Sequence, residues 1–203
     1  YMDAQRKSRW DKQARKSEYI DLGKATALIV GVGGIGQETA KLCLAFGMRV
    51  IGIDERWEYD VALSEKYQPA ALDSLLPEAD FVITTVPHTP ETEFMWDSSR
   101  FNLMKNTAYF INIGRGLTTR IADLTAALES GQIAGCGLDV YETEPFPAEE
   151  KLWTMENVIL TPHIAVHEAD GVAARQFSVF LDNARLFAEG RPLRNVVEKA
   201  KWY

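Results

Sequence analysis

Three side chains in this sequence have the types and neighbours that suit proton transfer and anion binding. Arg115 stands between two glycines at the end of the apolar run AYFINIGRGL (108–117). The stretch GCGLDVYETEP (135–145) places Asp139 on a strand and Glu144 just beyond it. His163 follows a proline near the end of NVILTPHIA (157–165). Imidazole is the side chain that exchanges a proton near neutral pH. A carboxylate beside it favours the charged form and fixes its orientation. A guanidinium offers a planar fork of donors, matched to a carboxylate and the adjacent carbonyl of a 2-oxo acid. Gly114 and Gly116 are expected to leave room for a ligand on either side of Arg115. Taken as a set, these groups could hold a 2-oxo acid and deliver a proton to its carbonyl oxygen.

Reducing that carbonyl also requires a hydride, and a second motif suggests its source. ALIVGVGGIGQETA places Gly31, Gly33 and Gly36 in a G-x-G-x-x-G array directly after an apolar run and at the start of a helical pattern. Gly31 permits a tight turn, Gly33 lets a pyrophosphate approach the backbone, and Gly36 allows helix and strand to pack closely. The helix start adds free N–H groups and a partial positive charge. Asp54 ends the next strand, eighteen positions after Gly36, where it can accept hydrogen bonds from ribose hydroxyls and repel a 2′-phosphate. That favours NAD over NADP; Glu55 reinforces the preference and Arg56 blurs it.

These groups need a scaffold that brings strand ends together. Short apolar, β-branched runs recur at Ala25–Val30, Arg49–Ile53, Phe81–Val86, Ala108–Ile113, Cys136–Val140 and Val158–Leu160. Helical periodicity lies between them, as at Ile35–Phe46 and Ile121–Ser130. Continuous apolar strands are buried on both faces, and strand alternating with helix gives right-handed βαβ units. The fold class is therefore α/β, a doubly wound parallel sheet of Rossmann type. Thr89-Pro90-Glu91 has the form of a helix start, with a cap, a first-turn proline and an acid. Gly131 follows the Ile121–Ser130 pattern as a left-handed cap. Ala173–Glu189 is an amphipathic helix ended by Gly190 and Pro192.

Composition narrows the classes. The 203 residues are 46% hydrophobic and 25% charged, enough for one large core. A net charge of −7 argues against a nucleic-acid partner. No apolar run approaches the roughly 18 residues that cross a bilayer, and no signal peptide is read. Cys43 and Cys136 lie in apolar surroundings without metal-ligand spacing, so they are expected as reduced core thiols in a cytoplasmic protein.

With these stretches in place the chain resembles the D-isomer-specific 2-hydroxyacid dehydrogenases. The resemblance rests on GVGGIG, VPHTPET, NIGRG, SGQIAGCGLDVYETEP, TPHIA and RLFAEGRPLRNVV, in family order and over nearly the whole chain. It implies an NAD-dependent oxidoreductase of the CH–OH group, transferring a hydride between NAD(H) and a small 2-oxo or 2-hydroxy acid. Arg115 then resembles the substrate-binding arginine, Glu144 its acid partner and His163 the proton donor. Asp139 resembles the residue that holds the nicotinamide carboxamide. Gly31, Gly33, Gly34, Ile35, Gly36 and Asp54 match the dinucleotide loop and its acid. Val86, Pro87 and Thr92 match the loop along the cofactor, Ile113 and Gly114 the strand end beneath it, with Arg115, His163 and Ala165 adjoining.

The resemblance further implies a homodimer, no metal, and a second, substrate-binding domain formed mostly by about a hundred residues ahead of the dinucleotide-binding part. On this reading residues 1–17 are a connecting helix, 18–170 the dinucleotide-binding domain, and 171–203 a helix and tail returning to the substrate domain. Specificity lies largely in that domain, which leaves glyoxylate, hydroxypyruvate, pyruvate and 3-phosphohydroxypyruvate open. His88 stands where many members have an apolar residue and is expected as a solvent-edge loop residue. His167 is expected on the entry to the next helix. Formate dehydrogenases, which carry glutamine in place of Glu144, are disfavoured, while phosphite oxidation stays open. A nicotinamide-sensing corepressor and a nucleotide-binding fragment without activity of its own are the alternatives outside turnover.

Overall fold

The computed structural model describes residues 5–10, 20–57, 61–165, 171–197 and 199. Seven strands form one parallel sheet: β1 (Thr26–Val30), β2 (Arg49–Ile53), β3 (Glu65–Tyr67), β4 (Phe81–Thr84), β5 (Tyr109–Asn112), β6 (Gly135–Leu138) and β7 (Val158–Leu160). Their spatial order is β3-β2-β1-β4-β5-β6-β7, so the chain reverses its direction of travel across the sheet between β1 and β4. In sheets of this kind a crevice opens beyond the carboxyl ends of the strands at that reversal. The register pairs Val30 with Ile53 and with Thr84, and Asn112 with Thr84 and with Leu138, which aligns those ends.

The described helices are α1 (Gly34–Ala45), α2 (Leu72–Leu75), α3 (Ser98–Phe101), α4 (Ile121–Glu129) and α5 (Val172–Ala188). Every residue of β1 is buried, as expected for a strand with apolar neighbours on both faces. One core layer joins Leu28, Ile51, Val82 and Phe110 to Trp96, Phe101 and Leu124; the other joins Ala27, Ile29 and Val50 to Ala40 and Cys43 of α1. Both cysteines are free and buried, and burial pushes the Cys136 thiol up to about 12. No described helix is long and apolar enough to cross a membrane.

Four expectations change. The strand β3 was not read, because Glu65-Lys66-Tyr67 is a three-residue edge strand with no apolar run to announce it. The runs at Phe81–Val86, Ala108–Ile113 and Cys136–Val140 outlast their ladders: the strands end at Thr84, Asn112 and Leu138, where the chain peels away to build the rim. Asp139 therefore sits one residue past β6 and not on it. Thr89-Pro90-Glu91 opens only a turn over 90–94, with the N–H groups of Thr92 and Glu93 on the Thr89 carbonyl. Phe94 then takes φ +49°, and the chain pairs with the segment after β5, Phe94 N–H on Leu117 O and Trp96 N–H on Thr118 O. Burial of Trp96 against Phe110 outweighs the local helix signal.

Gly131 takes the left-handed conformation expected of it, at φ +72°, and Gly190, expected to end the last helix, does so at φ +66°. The helix expected over the first seventeen residues falls largely outside the described residues, as do His167 and the end of the tail.

Candidate active site

The glycine loop is built by steric exclusion at two positions and by open space at two others. Gly31 turns at φ +89°, and a Cβ there would crowd Val86 and the Thr85 carbonyl carbon at 3.0–3.1 Å. A Cβ on Gly36 would lie 2.0 Å from the Gly31 carbonyl oxygen, so only glycine lets α1 start this close to β1. Thr85 closes the same corner by donating its hydroxyl to Gly31 O at 2.5 Å. At Gly33 and Gly34, by contrast, an added Cβ meets nothing within 4 Å. Gly33 caps α1 without a side-chain hydrogen bond, leaving an exposed backbone and a helix N-terminus facing open space. Backbone donors, a positive helix end and room for a bulky anion fit a dinucleotide pyrophosphate. Ile35, exposed beside them, adds apolar surface at the same place.

Asp54 follows β2 and holds the loop. Its Oδ2 accepts from Val32 N–H at 2.6 Å and its Oδ1 from Arg56 N–H at 2.8 Å. The opposite wall is the segment after β4. Thr92 Oγ1 donates to the Pro87 carbonyl at 2.7 Å and accepts from Thr89 N–H at 2.8 Å, so Thr92 fixes the shape of the Val86-Pro87 stretch. His88 lies only partly at the solvent edge expected for it: its side chain is one-third exposed, but its Nε2 is buried without a hydrogen-bond partner among the described residues, 3.8 Å from Glu93 Oε2.

Arg115 lies past β5, exposed, with its Nη1 donating to the Gly114 carbonyl at 2.7 Å. Its flanking glycines do not serve as ligand room, which corrects the reading from sequence. A Cβ on Gly114 would lie 2.7 Å from Val86 O, and one on Gly116 only 1.8 Å from Tyr141 O. Both glycines are needed so that the Arg115 loop can press backbone to backbone against the neighbouring strand-end loops. Ile113 and Gly114 follow directly on β5, Ile113 N–H bonding Thr84 O at 3.2 Å.

Asn112, which the sequence reading passed over, organises this loop from inside. Fully buried, it donates through Nδ2 to Arg115 O and to the Thr118 and Thr119 hydroxyls, at 3.0–3.2 Å. Its Oδ1 accepts from Gly114 N–H at 2.9 Å. An amide at the end of the apolar run YFIN was the available signal, since a buried polar group needs partners.

The third cluster joins the ends of β6 and β7. Asp139 is buried; its Oδ1 accepts from Thr161 Oγ1 at 2.6 Å and Ile164 N–H at 3.1 Å, and its Oδ2 from Ala165 N–H at 3.2 Å. Burial opposes ionisation of Asp139, yet these hydrogen bonds and the nearby His163 hold its carboxyl below the usual carboxylate range. Ala165 thus spends its N–H on Asp139. Asp139 brackets His163, which sits at φ +51°, a conformation a non-glycine residue keeps only where surroundings impose it.

His163 Nδ1 lies 2.8 Å from Glu144 Oε2, and Glu144 Oε1 accepts from Tyr141 N–H at 3.0 Å. Partial burial works against the Glu144 charge, but the bonds from His163 and Tyr141 outweigh it and lower its pKa. An ionised carboxylate only accepts, so Nδ1 carries the proton and Nε2 is the nitrogen left for chemistry. Glu144 and His163 are thus in contact, while Arg115 reaches the same edge of the sheet on its own loop. Among the described residues no group of three or more His, Cys, Asp or Glu could hold a metal ion.

The family model described as D-isomer specific 2-hydroxyacid dehydrogenase, NAD binding domain, matches residues 1–165. The chain is 43% identical over 146 residues to a glyoxylate reductase of Thermococcus kodakarensis, covering 71% of this chain and 43% of that protein. It is 37% identical over 181 residues to a glyoxylate reductase of Korarchaeum cryptofilum, covering 88% of this chain and 54% of the relative. The chain spans about half the length of the curated relatives it matches. Among solved structures, the NADPH-dependent glyoxylate/hydroxypyruvate reductase of Sinorhizobium meliloti, in complex with NADP and sulfate, superposes with a TM-score of 0.88 at 31% identity. That match covers 100% of this chain and 63% of the other.

Proposed function

This chain belongs to the D-isomer specific 2-hydroxyacid dehydrogenase family, and from that we propose that it performs hydride exchange between NAD(H) and a small 2-oxo or 2-hydroxy acid. The observation that carries the reading is the His163–Glu144 contact of 2.8 Å beyond β6 and β7, on the same sheet edge as the open glycine loop. The names of the curated relatives support glyoxylate as the test substrate. Residues 18–170 act as the dinucleotide-binding unit.

The bound dinucleotide supplies the hydride to C2 of the acid, or takes it back in the oxidation. This chain's residues do the rest. The N–H groups at Gly33, Gly34 and Ile35 hold the pyrophosphate, with Gly31 and Gly36 shaping their loop. Val86, Pro87, Thr92, Ile113 and Gly114 form the wall along the nicotinamide half, and Asp139 adds its remaining acceptor capacity there. Arg115 binds the substrate carboxylate and the neighbouring carbonyl. His163 gives a proton from Nε2 to the carbonyl oxygen as the hydride reaches C2, and Glu144 stabilises the imidazolium that precedes transfer.

NAD is the preferred cofactor in this proposal. The Sinorhizobium reductase holds NADP. Asp54, an acid fixed beside the loop at 2.6 Å from Val32 N, supports NAD here because it repels a 2′-phosphate. Free, buried Cys43 and Cys136 support a reducing compartment such as the cytoplasm.

The pH profile of glyoxylate reduction tests the proton-donor pair. Reduction needs His163 protonated, so its rate falls on the alkaline side. Glu144 is ionised at neutral pH, its pKa being lowered, and it favours the imidazolium. Glu144→Gln therefore moves the alkaline limb of reduction, and the acid limb of oxidation, to lower pH. His163→Ala removes proton transfer and costs roughly 10²–10⁴-fold in turnover. Near-normal turnover of His163→Ala, or unmoved limbs in Glu144→Gln, would overturn the assignment.

A further inference from the structure

We infer that Tyr141 is a positioning residue, the point at which the loops carrying Arg115, Glu144 and His163 are held in a single register. The inference rests on the roles proposed for those three residues, but the contacts stand apart from them. Tyr141 lies two residues past Asp139, is buried, and touches all three loops through different atoms. Its N–H donates to Glu144 Oε1 at 3.0 Å, which fixes the carboxylate whose other oxygen meets His163. Its hydroxyl donates to the Thr161 carbonyl at 2.8 Å, with Leu138 O at 3.3 Å, tying the chain two residues before His163 back to the end of β6. Its backbone is the surface on which Gly116 rests, so tightly that a Cβ there would stand 1.8 Å from Tyr141 O.

The ring completes the clamp. It stacks on Phe146 at 4.4 Å between centroids and 25° between planes, and Phe146 packs in turn on Trp153 at 5.5 Å. This aromatic row backs the segment that presents Glu144. Burial pushes the phenol up to about 12, so the hydroxyl stays a neutral donor throughout the working range of the enzyme. A phenylalanine at this position would keep the stack and lose the tie to Thr161, so the hydroxyl can be tested alone.

The chain holds three histidines, which makes imidazole nuclear magnetic resonance a direct probe. With ¹⁵N-histidine labelling at low temperature, the His163 Nδ1 proton should be visible downfield and should exchange more slowly than a free imidazole N–H although the pair is half-exposed, and Glu144→Gln should abolish it. Tyr141→Phe should leave NADH affinity unchanged within about twofold while that proton exchanges several-fold to about tenfold faster, the weight of one net hydrogen bond. In turnover it should lower kcat with little change in KM. An Nδ1 proton in Tyr141→Phe with the parent's shift and exchange rate would overturn the inference, even if the variant melts earlier. Normal turnover by His163→Ala would overturn the proposed chemistry and leave the resonance result intact, so the two failures are separable.

Discussion

Asp54 and Asp139 each use a carboxylate to shape a loop, and the consequences differ with what else the carboxylate must do. Asp54 holds Val32 and Arg56 by their N–H groups and is also the group expected to meet the adenosine ribose. Asp54→Asn removes the charge and keeps only one of these two acceptors. It should cost the loop one backbone hydrogen bond and narrow the preference for NADH over NADPH, which is expected to be at least a few-fold in the parent because a 2′-phosphate near a fixed carboxylate is repelled. Titration calorimetry with both cofactors measures the ratio; equal or tighter NADPH binding by the parent would refute the preference. Asp139 has three hydrogen bonds to the His163 loop, a burden that no count of acids in the sequence reveals. Glu144 and His163 were legible as candidates from residue type and from their place after strands, and their partnership from the resemblance; the 2.8 Å contact comes from the structure. The duties of Asn112 and Tyr141 were not, since each depends on partners brought in from another loop.

At the scale of elements, some glycines mark where backbones meet and others where space stays open, and the fold separates the two kinds. Gly33 begins α1 with open space around the missing side chain. Gly116 has no such space, being seated on Tyr141. Gly33→Ala should therefore melt like the parent but bind the dinucleotide more weakly, because its methyl occupies the space assigned to the pyrophosphate. Gly116→Ala should lower stability by about 1–3 kcal/mol or more through overpacking and should displace Arg115. Thermal unfolding with and without NADH distinguishes them, and loss of stability in Gly33→Ala with full affinity would contradict the assignment. From sequence both looked alike, as glycines beside functional residues. The same scale explains why the 89–91 signal gave a turn: local capping stabilises a helix by about 1 kcal/mol, whereas burying a tryptophan contributes more.

Across the whole molecule the least satisfied surface is apolar and helical. α5 contains no buried residue, and Phe177, Phe180 and Phe187 are 64%, 71% and 78% exposed. Ile35, Leu42 and Phe46 along α1 and its cap form a second exposed row. Contiguous apolar faces of this kind favour association. The chain is expected to self-associate with concentration, and Phe177→Ser with Phe180→Ser to shift it toward the monomer. Sedimentation equilibrium reads both; a monomer at every concentration would contradict this. The site is also open on this scale. The side chains of Glu144 and His163 are 38% and 49% exposed, so water reaches the pair and the electrostatic advantage of the site is screened.

The sequence by itself determined the α/β class, six of the seven strands, the glycine loop with its acid, and the residues offered to chemistry. It could do so because apolar runs, helical periodicity and glycine arrays act over a few neighbouring positions, and every such signal is printed along the chain. Only the tertiary structure decided that β3 joins the sheet edge, that Asp139 leaves its strand, and that Gly114 and Gly116 serve contact between loops and not access. Those outcomes depend on groups far apart in sequence, Gly116 against Tyr141, Tyr141 against Thr161, Asp139 against Ala165. Hydrogen bonds and close approaches across such distances arise only once the strand ends are brought side by side, and no local pattern records them.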